Sequence, residues 1–208
     1  WAQGLVRSWE NGAKFAMQQD RASLEELIPE LTPGTHYGQS CPACVGVKSL
    51  QGEYGYFSWS INAPDQITCR RCGTVFPNDE YPESGVLECP RMGQTFTYYQ
   101  PPAERALGPD ATPEQRREHA LLGLSQRPQM ISLSGLIRLK KAQWAWGQLL
   151  PLAKLYAVTG EVSYAERAAW ILDRFAQVFP NYLYHSYDGS IADWPPAEVA
   201  ANMGEHGG

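Results

Sequence analysis

Two cysteine pairs, Cys41-Pro42-Ala43-Cys44 and Cys69-Arg70-Arg71-Cys72, carry the most specific chemistry in this chain. A Cys-x-x-Cys turn aims two thiolates at one centre, and two such turns together offer four sulfurs. That set suits a zinc ion, which takes tetrahedral thiolate ligands at about 2.3 Å; with four protein ligands no position stays open for substrate, so the ion is expected to be structural. The interval between the pairs is longer than in a common zinc ribbon, and residues 53–61 read as a β-hairpin arm that lengthens the ribbon without moving its ligands. In an oxidising compartment the same cysteines would form two disulfides instead, and spacing leaves both readings open. Cys89 is the odd fifth cysteine. Cys89-Pro90-Arg91-Met92-Gly93 resembles a knuckle whose second cysteine has become methionine, and a buried, inert thiol is expected there.

Helices are expected on either side of this cysteine region. Trp1, Leu5, Trp9, Gly12 and Ala16 step by three and four, the stripe of a first helix. Ser23-x-x-Glu26 has the form of a capping box for a short second helix, which Pro29 and Thr32-Pro33-Gly34 end. After the second knuckle, residues 73–78 run into a short strand, residues 79–85 are rich in turn formers, and residues 95–99 offer another β run. Residues 100–129, with five prolines and a charged stretch, read as a surface excursion. Beyond Ser132, Leu139, Ala142, Trp146, Leu149, Ala153 and Tyr156 trace one stripe of a long helix, stopped by Thr159-Gly160 and kinked or broken at Pro151. Ser163-x-x-Glu166 would cap a second helix striped by Ala165, Ala168, Leu172, Phe175 and Phe179. So short a turn makes the two helices antiparallel, near 135–158 and 163–179, with Trp146, Leu149, Leu172 and Phe175 expected inside.

Composition narrows the partners. The chain has 208 residues and a formal net charge of −5, which argues against nucleic acid or an anionic membrane as the main partner, since phosphate binding needs a basic patch. No apolar run is long enough to span a bilayer. The start at Trp1 and the glycine-rich end are expected to be cuts in a longer protein, and no signal peptide is present in this stretch.

The string from Trp144 through Leu152-Ala153-Lys154-Leu155-Tyr156-Ala157-Val158-Thr159-Gly160-Glu161-Val162-Ser163-Tyr164-Ala165-Glu166 to Ile171-Leu172-Asp173-Arg174-Phe175-Ala176 resembles a helical hairpin of heparinase II/III-like polysaccharide lyases. The upstream order is similar to bacterial members of that group as well: a helix at residues 24–29, a Cys-Pro-x-Cys knuckle, a second knuckle followed by Phe76-Pro77-Asn78, then Tyr81-Pro82-Glu83. The resemblance spans residues 24–184. It implies a mainly α fold: an incomplete (α/α) toroid of antiparallel helical hairpins with a small four-cysteine, zinc-ribbon-like β insertion. Residues 1–34 would hold the N-terminal helices, 35–100 the zinc-knuckle insertion and 101–208 the start of the toroid. It also implies a secreted or periplasmic enzyme that cleaves an acidic, uronic-acid-containing polysaccharide by β-elimination. In that reaction a side chain neutralises the uronate carboxylate, a base removes the C5 proton and an acid assists the leaving oxygen. Family members carry these groups mostly in later helices and a β region, so no catalytic residue transfers to this chain, which alone is expected to be inactive.

The candidate substrate contacts are His185, Tyr187 and Trp194, in an aromatic and polar stretch that leaves a helix end and could stack against a sugar ring; the bland alternative is a loop packed over the hairpin. Two rival functions stand beside the lyase. One is a glycan-binding or glycoside-hydrolysing toroid, for which Asp188 and Asp193 are the available carboxylates. The other is a zinc-ribbon protein-interaction module on a helical scaffold.

Overall fold

A computed structural model describes residues 2–34, 41–44, 57–99, 132–185 and 191–192. Four α-helices lie among them, α1 (Ala2–Met17), α2 (Arg21–Glu26), α3 (Leu133–Thr159) and α4 (Val162–Val178). The strands β1 (Phe57–Ser60), β2 (Ala63–Cys69) and β3 (Val75–Phe76) form one antiparallel sheet in that order. β4 (Gly85–Cys89) and β5 (Gln94–Tyr98) form an antiparallel ribbon, and the two-residue strands β6 (Tyr184–His185) and β7 (Ile191–Ala192) form a third pair.

The helix ends follow local chemistry. Asp20 caps α2 by accepting the Ser23 amide at 2.8 Å, so Ser23 lies inside the first turn instead of capping it. Ser132 caps α3: its hydroxyl accepts the Gly135 amide at 3.1 Å and donates to the Thr97 carbonyl at 2.7 Å. Glu83 completes that terminus, one oxygen accepting the Ser134 amide and the other accepting the Ser134 and Thr97 hydroxyls, each at 2.6 Å. The start of α3 is thereby sewn to β5. Pro151 sits inside α3, which nevertheless runs unbroken to a left-handed Gly160 at φ 72°. That stop is the one expected from Thr159-Gly160. Glu161 precedes α4 without a side-chain cap, and Ser163 bonds back to the Glu161 carboxylate at 2.8 Å.

Two cores share α3. Its first turns bury Leu133, Leu136 and Ile137 with Cys41, Ile67, Cys69, Phe76 and Tyr99 of the cysteine region. Its later turns bury Ala145, Leu152 and Leu155 with Ala13 of α1, Ile28, Ile171 and Val178 of α4, and Tyr182. A smaller cluster joins Cys89 and Phe96 to Leu183.

Between these cores lies a buried polar junction. The Thr32 amide and hydroxyl both donate to Gln94 Oε1, at 3.1 and 2.8 Å, and the same hydroxyl accepts the Leu183 amide at 2.8 Å. Arg138 Nε donates to the Thr32 carbonyl at 3.1 Å, and Gln94 Nε2 donates to the Asn181 carbonyl. Every link joins segments far apart in the chain, so these bonds fix how the N-terminal stretch, β5, α3 and the exit from α4 meet. Gly34 lies against Gly135 there, donating its amide to the Gly135 carbonyl at 2.8 Å; a Cβ on Gly34 would lie 2.6 Å from the Gly135 carbonyl carbon.

The expected mainly α toroid is not what forms. The described residues make a mixed α/β fold with a single helical hairpin, α3–α4. A toroid needs successive hairpins side by side. Here α1 packs against α3 and α4, α2 packs against α4, and the antiparallel strands take the first turns of α3. The hairpin itself has close to the expected limits, but its core face is turned. Ala142, Ala145, Gln148, Leu152 and Leu155 are buried, whereas Trp146 is 62% exposed and Leu172 49% exposed; Leu149 and Phe175 are half-buried. Trp146 meets the Phe175 ring edge to face at 5.7 Å on the outer side of the hairpin. The surface excursion expected at residues 100–129 lies outside the described residues.

Candidate metal centre

The first knuckle is a tight 3₁₀ turn, Pro42–Cys44, in which the Cys44 amide donates to the Cys41 carbonyl at 2.9 Å. The second is the turn from β2 into β3. Cys69 ends β2; its carbonyl accepts the Gly73 amide and its amide donates to the Thr74 carbonyl, both at 2.9 Å. Gly73 adopts φ 75°, where a side chain would be strained, so the glycine after Cys72 is what lets the chain reverse. β1 pairs with β2, placing Phe57 opposite Cys69, and residues 61 and 62 form the hairpin turn. The arm expected at residues 53–61 is therefore a hairpin whose returning strand is β2; residues 53–56 lie outside the described residues.

These turns bring the four expected cysteines together. Cys41, Cys44, Cys69 and Cys72 place their sulfurs within 4.8 Å of one another, with Cys41 to Cys72 at 3.7 Å and Cys44 to Cys69 at 3.9 Å. Sulfurs around one tetrahedral ion with bonds of about 2.3 Å stand roughly 3.75 Å apart, whereas a disulfide needs about 2.05 Å. The separations fit a shared metal ion, and Cys41, Cys44, Cys69 and Cys72 form no disulfide. Cys41 and Cys69 are buried, Cys44 is partly buried and Cys72 is exposed.

The electrostatics of the four thiols are uneven. Burial pushes the Cys41 thiol far up, with neighbouring sulfurs adding to the effect, and pushes Cys44 up to about 11. At Cys72 burial also opposes charge, but hydrogen bonding from Thr74 and from the Cys69 and Cys44 thiols together outweighs it, bringing the group down to about 6. Alone, the cluster favours a thiolate at Cys72 and thiols at Cys41 and Cys44. A dication changes that balance, because its charge offsets that of several thiolates at once.

Thr74 was not singled out by sequence reasoning, yet its hydroxyl lies 3.1 Å from Cys72 Sγ. Once Cys72 is a metal-bound thiolate, the hydroxyl is the partner with a proton to donate, a supporting role outside the ligand set. Its place two residues beyond the last cysteine was the available signal. Lys141 of α3 meets Asp65 of β2 at 2.5 Å, a second tie between the helix and the sheet that carries Cys69.

The rest of the expected site divides. Cys89 is buried away from the four sulfurs, packed with Phe96, Leu183, Leu87 and Met92. It pairs with Gln94 at the end of the β4–β5 ribbon, so residues 90–93 are a hairpin turn closed at Gly93, φ 65°, and not a third knuckle. His185 lies in β6, opposite Ile191. Tyr187, Asp188, Asp193 and Trp194 lie outside the described residues. No helix among the described residues is long and apolar enough to cross a membrane.

Comparison with known protein families, with curated proteins and with solved structures gave no match.

Proposed function

We propose that Cys41, Cys44, Cys69 and Cys72 hold a structural zinc ion that clamps the Pro42–Cys44 turn to the β2–β3 turn, within the core on which the first turns of α3 pack. The observation that carries this reading is the convergence of four thiols, two of them inside the apolar core that includes Leu133, Leu136 and Ile137. A thiol-only donor set selects soft, tetrahedral metals over oxygen-seeking ions such as Mg²⁺ or Ca²⁺. Four protein ligands leave the metal no position for substrate, so its work is to hold fold and not to carry out a reaction. Removal of the metal with a strong chelator under reducing conditions tests this. Amide exchange should accelerate in residues 57–76 and in the first turns of α3, and remain slow in α4 and in the later turns of α3. Unchanged protection throughout would defeat the reading.

A second reading concerns enzymatic activity. The ordered motifs between residues 24 and 184 support membership in an enzyme that breaks acidic, uronate-containing polysaccharide by β-elimination, acting outside the cytoplasm. In it His185, Tyr187 and Trp194 would line the substrate. Incubation of the protein with glycosaminoglycans and with alginate tests this directly: unsaturated uronate absorbing in the ultraviolet is expected, and its absence with every uronate polymer leaves the interaction-module reading in place.

A further inference from the structure

The four sulfurs are not equally reachable. Cys41 and Cys69 are buried and Cys44 is partly so, but Cys72 is exposed. Its sulfur lies 3.7 Å from that of Cys41 in the opposite knuckle and 3.1 Å from the Thr74 hydroxyl. A metal-bound thiolate keeps nucleophilic character, and access decides which of four meets a small oxidant first.

We propose that Cys72 is an oxidation site, at which a hydroperoxide opens the zinc cluster and Cys41 resolves the product into a disulfide. This rests on the zinc reading above. The Cys72 thiolate attacks one peroxide oxygen; the S–O bond forms as the O–O bond breaks, and the departing hydroxide takes up a proton to leave as water. Cys72 is then a sulfenic acid, a poor zinc ligand. The Cys41 thiolate attacks that sulfur, the S–S bond forms as the S–O bond breaks, and the second oxygen leaves as hydroxide and is protonated to water. Two electrons have passed from the two sulfurs to the peroxide. The ion has lost two of four ligands and dissociates.

A Cys41–Cys72 bridge, across the 3.7 Å separation, also settles which thiols remain for a second oxidation. Cys44 and Cys69, 3.9 Å apart, are the remaining cross-knuckle pair, and a second peroxide equivalent closes them by the same steps. Bridges from Cys41 to Cys72 and from Cys44 to Cys69 join the two knuckles with no metal present. Bridges within each knuckle would leave the knuckles unconnected. Oxidation in this pattern replaces one clamp by another, and a dithiol reductant reverses it.

Zinc-loaded protein treated with less than one equivalent of hydrogen peroxide tests the proposal. Expected are one zinc released per peroxide consumed, a dimedone adduct on Cys72 in samples trapped early, and a Cys41–Cys72 link in non-reduced peptide maps. Cys72→His keeps a zinc ligand but removes the exposed thiol, and should slow peroxide-driven zinc release by about tenfold or more. A first adduct on another cysteine, an initial link within a knuckle, or unchanged release from C72H overturns the proposal while leaving the structural zinc intact. Should C72H fail to fold, the adduct position on the wild-type chain decides alone. Protein that binds no zinc at all overturns this proposal together with the reading beneath it.

Discussion

The sulfurs of Cys41 and Cys72 lie 3.7 Å apart although the residues stand 31 positions apart in sequence and on different knuckles. Cys41 belongs at the same time to the apolar core that anchors α3. Serine at Cys41 or Cys69 therefore removes a ligand and leaves a hydroxyl in that core. A loss of bound zinc and of on the order of 2–4 kcal/mol is expected in denaturant unfolding. Cys89→Ser should retain zinc while losing about 1–2 kcal/mol, because its sulfur is buried in a separate cluster. Zinc content and urea midpoints, measured on the same preparations, separate the two classes.

Metal binding should release protons. Near neutral pH the Cys41 and Cys44 thiols, both pushed up by burial, are protonated in the metal-free protein, whereas Cys72, at about 6, is already a thiolate. Zinc converts the first two, so at least two protons should leave per ion bound, and affinity should fall as pH falls. Calorimetry in buffers of different ionisation enthalpy reads the number. A value of zero would contradict the assignment of those two thiols as ligands.

Thr32 is buried, and its hydroxyl bridges Gln94 and the Leu183 amide at 2.8 Å on each side. Thr32→Val preserves shape but strands the Leu183 amide and leaves Gln94 Oε1 only the residue-32 amide as donor from this position, so about 1–3 kcal/mol should be lost with zinc content unchanged. An equal loss of zinc would mean that the junction and the metal centre fold as one unit.

Tyr182 donates its hydroxyl to the Pro29 carbonyl at 2.6 Å, and burial pushes it up to about 12 from an ordinary value of 10, Arg174 and Arg138 opposing only in part. The neutral form is thus favoured in the folded state. Its contribution is complete below about pH 10 and should disappear as pH rises toward about 12. Tyr182→Phe should cost about 1 kcal/mol near neutral pH and remove that part of the alkaline loss. Thermal melts of both proteins between pH 8 and pH 12 provide the check.

The four-cysteine cluster was legible because its information is local: two Cys-x-x-Cys turns, each followed or framed by turn formers, give the number and type of the converging side chains without knowledge of the rest. The limits of α3 and α4 were legible for a similar reason, Gly160 supplying the stop between them. The buried face was not. α3 is apolar on nearly every side, so a stripe through Trp146, Ala153 and Tyr156 looked as good as the true one through Ala145, Leu152 and Leu155, one residue away and about 100° around the helix. The toroid failed at a still longer range. One hairpin carries no record of what covers it, and the partners here, α1 and the antiparallel strands, are chosen by burial in shared cores, Ala13 with Leu152 and Leu155 in one and Ile67 with Leu136 in the other. Thr32 and Gln94, 62 positions apart, left no pairing signal that a single sequence exposes.

X-ray absorption at the zinc edge, on protein purified under reducing conditions and assayed for metal content, addresses the central claim most directly. One zinc per chain is expected, surrounded by four sulfurs at about 2.3 Å with no nitrogen or oxygen neighbour. Chains that carry no zinc and take up none on titration, with four titratable thiols at these positions, would contradict it.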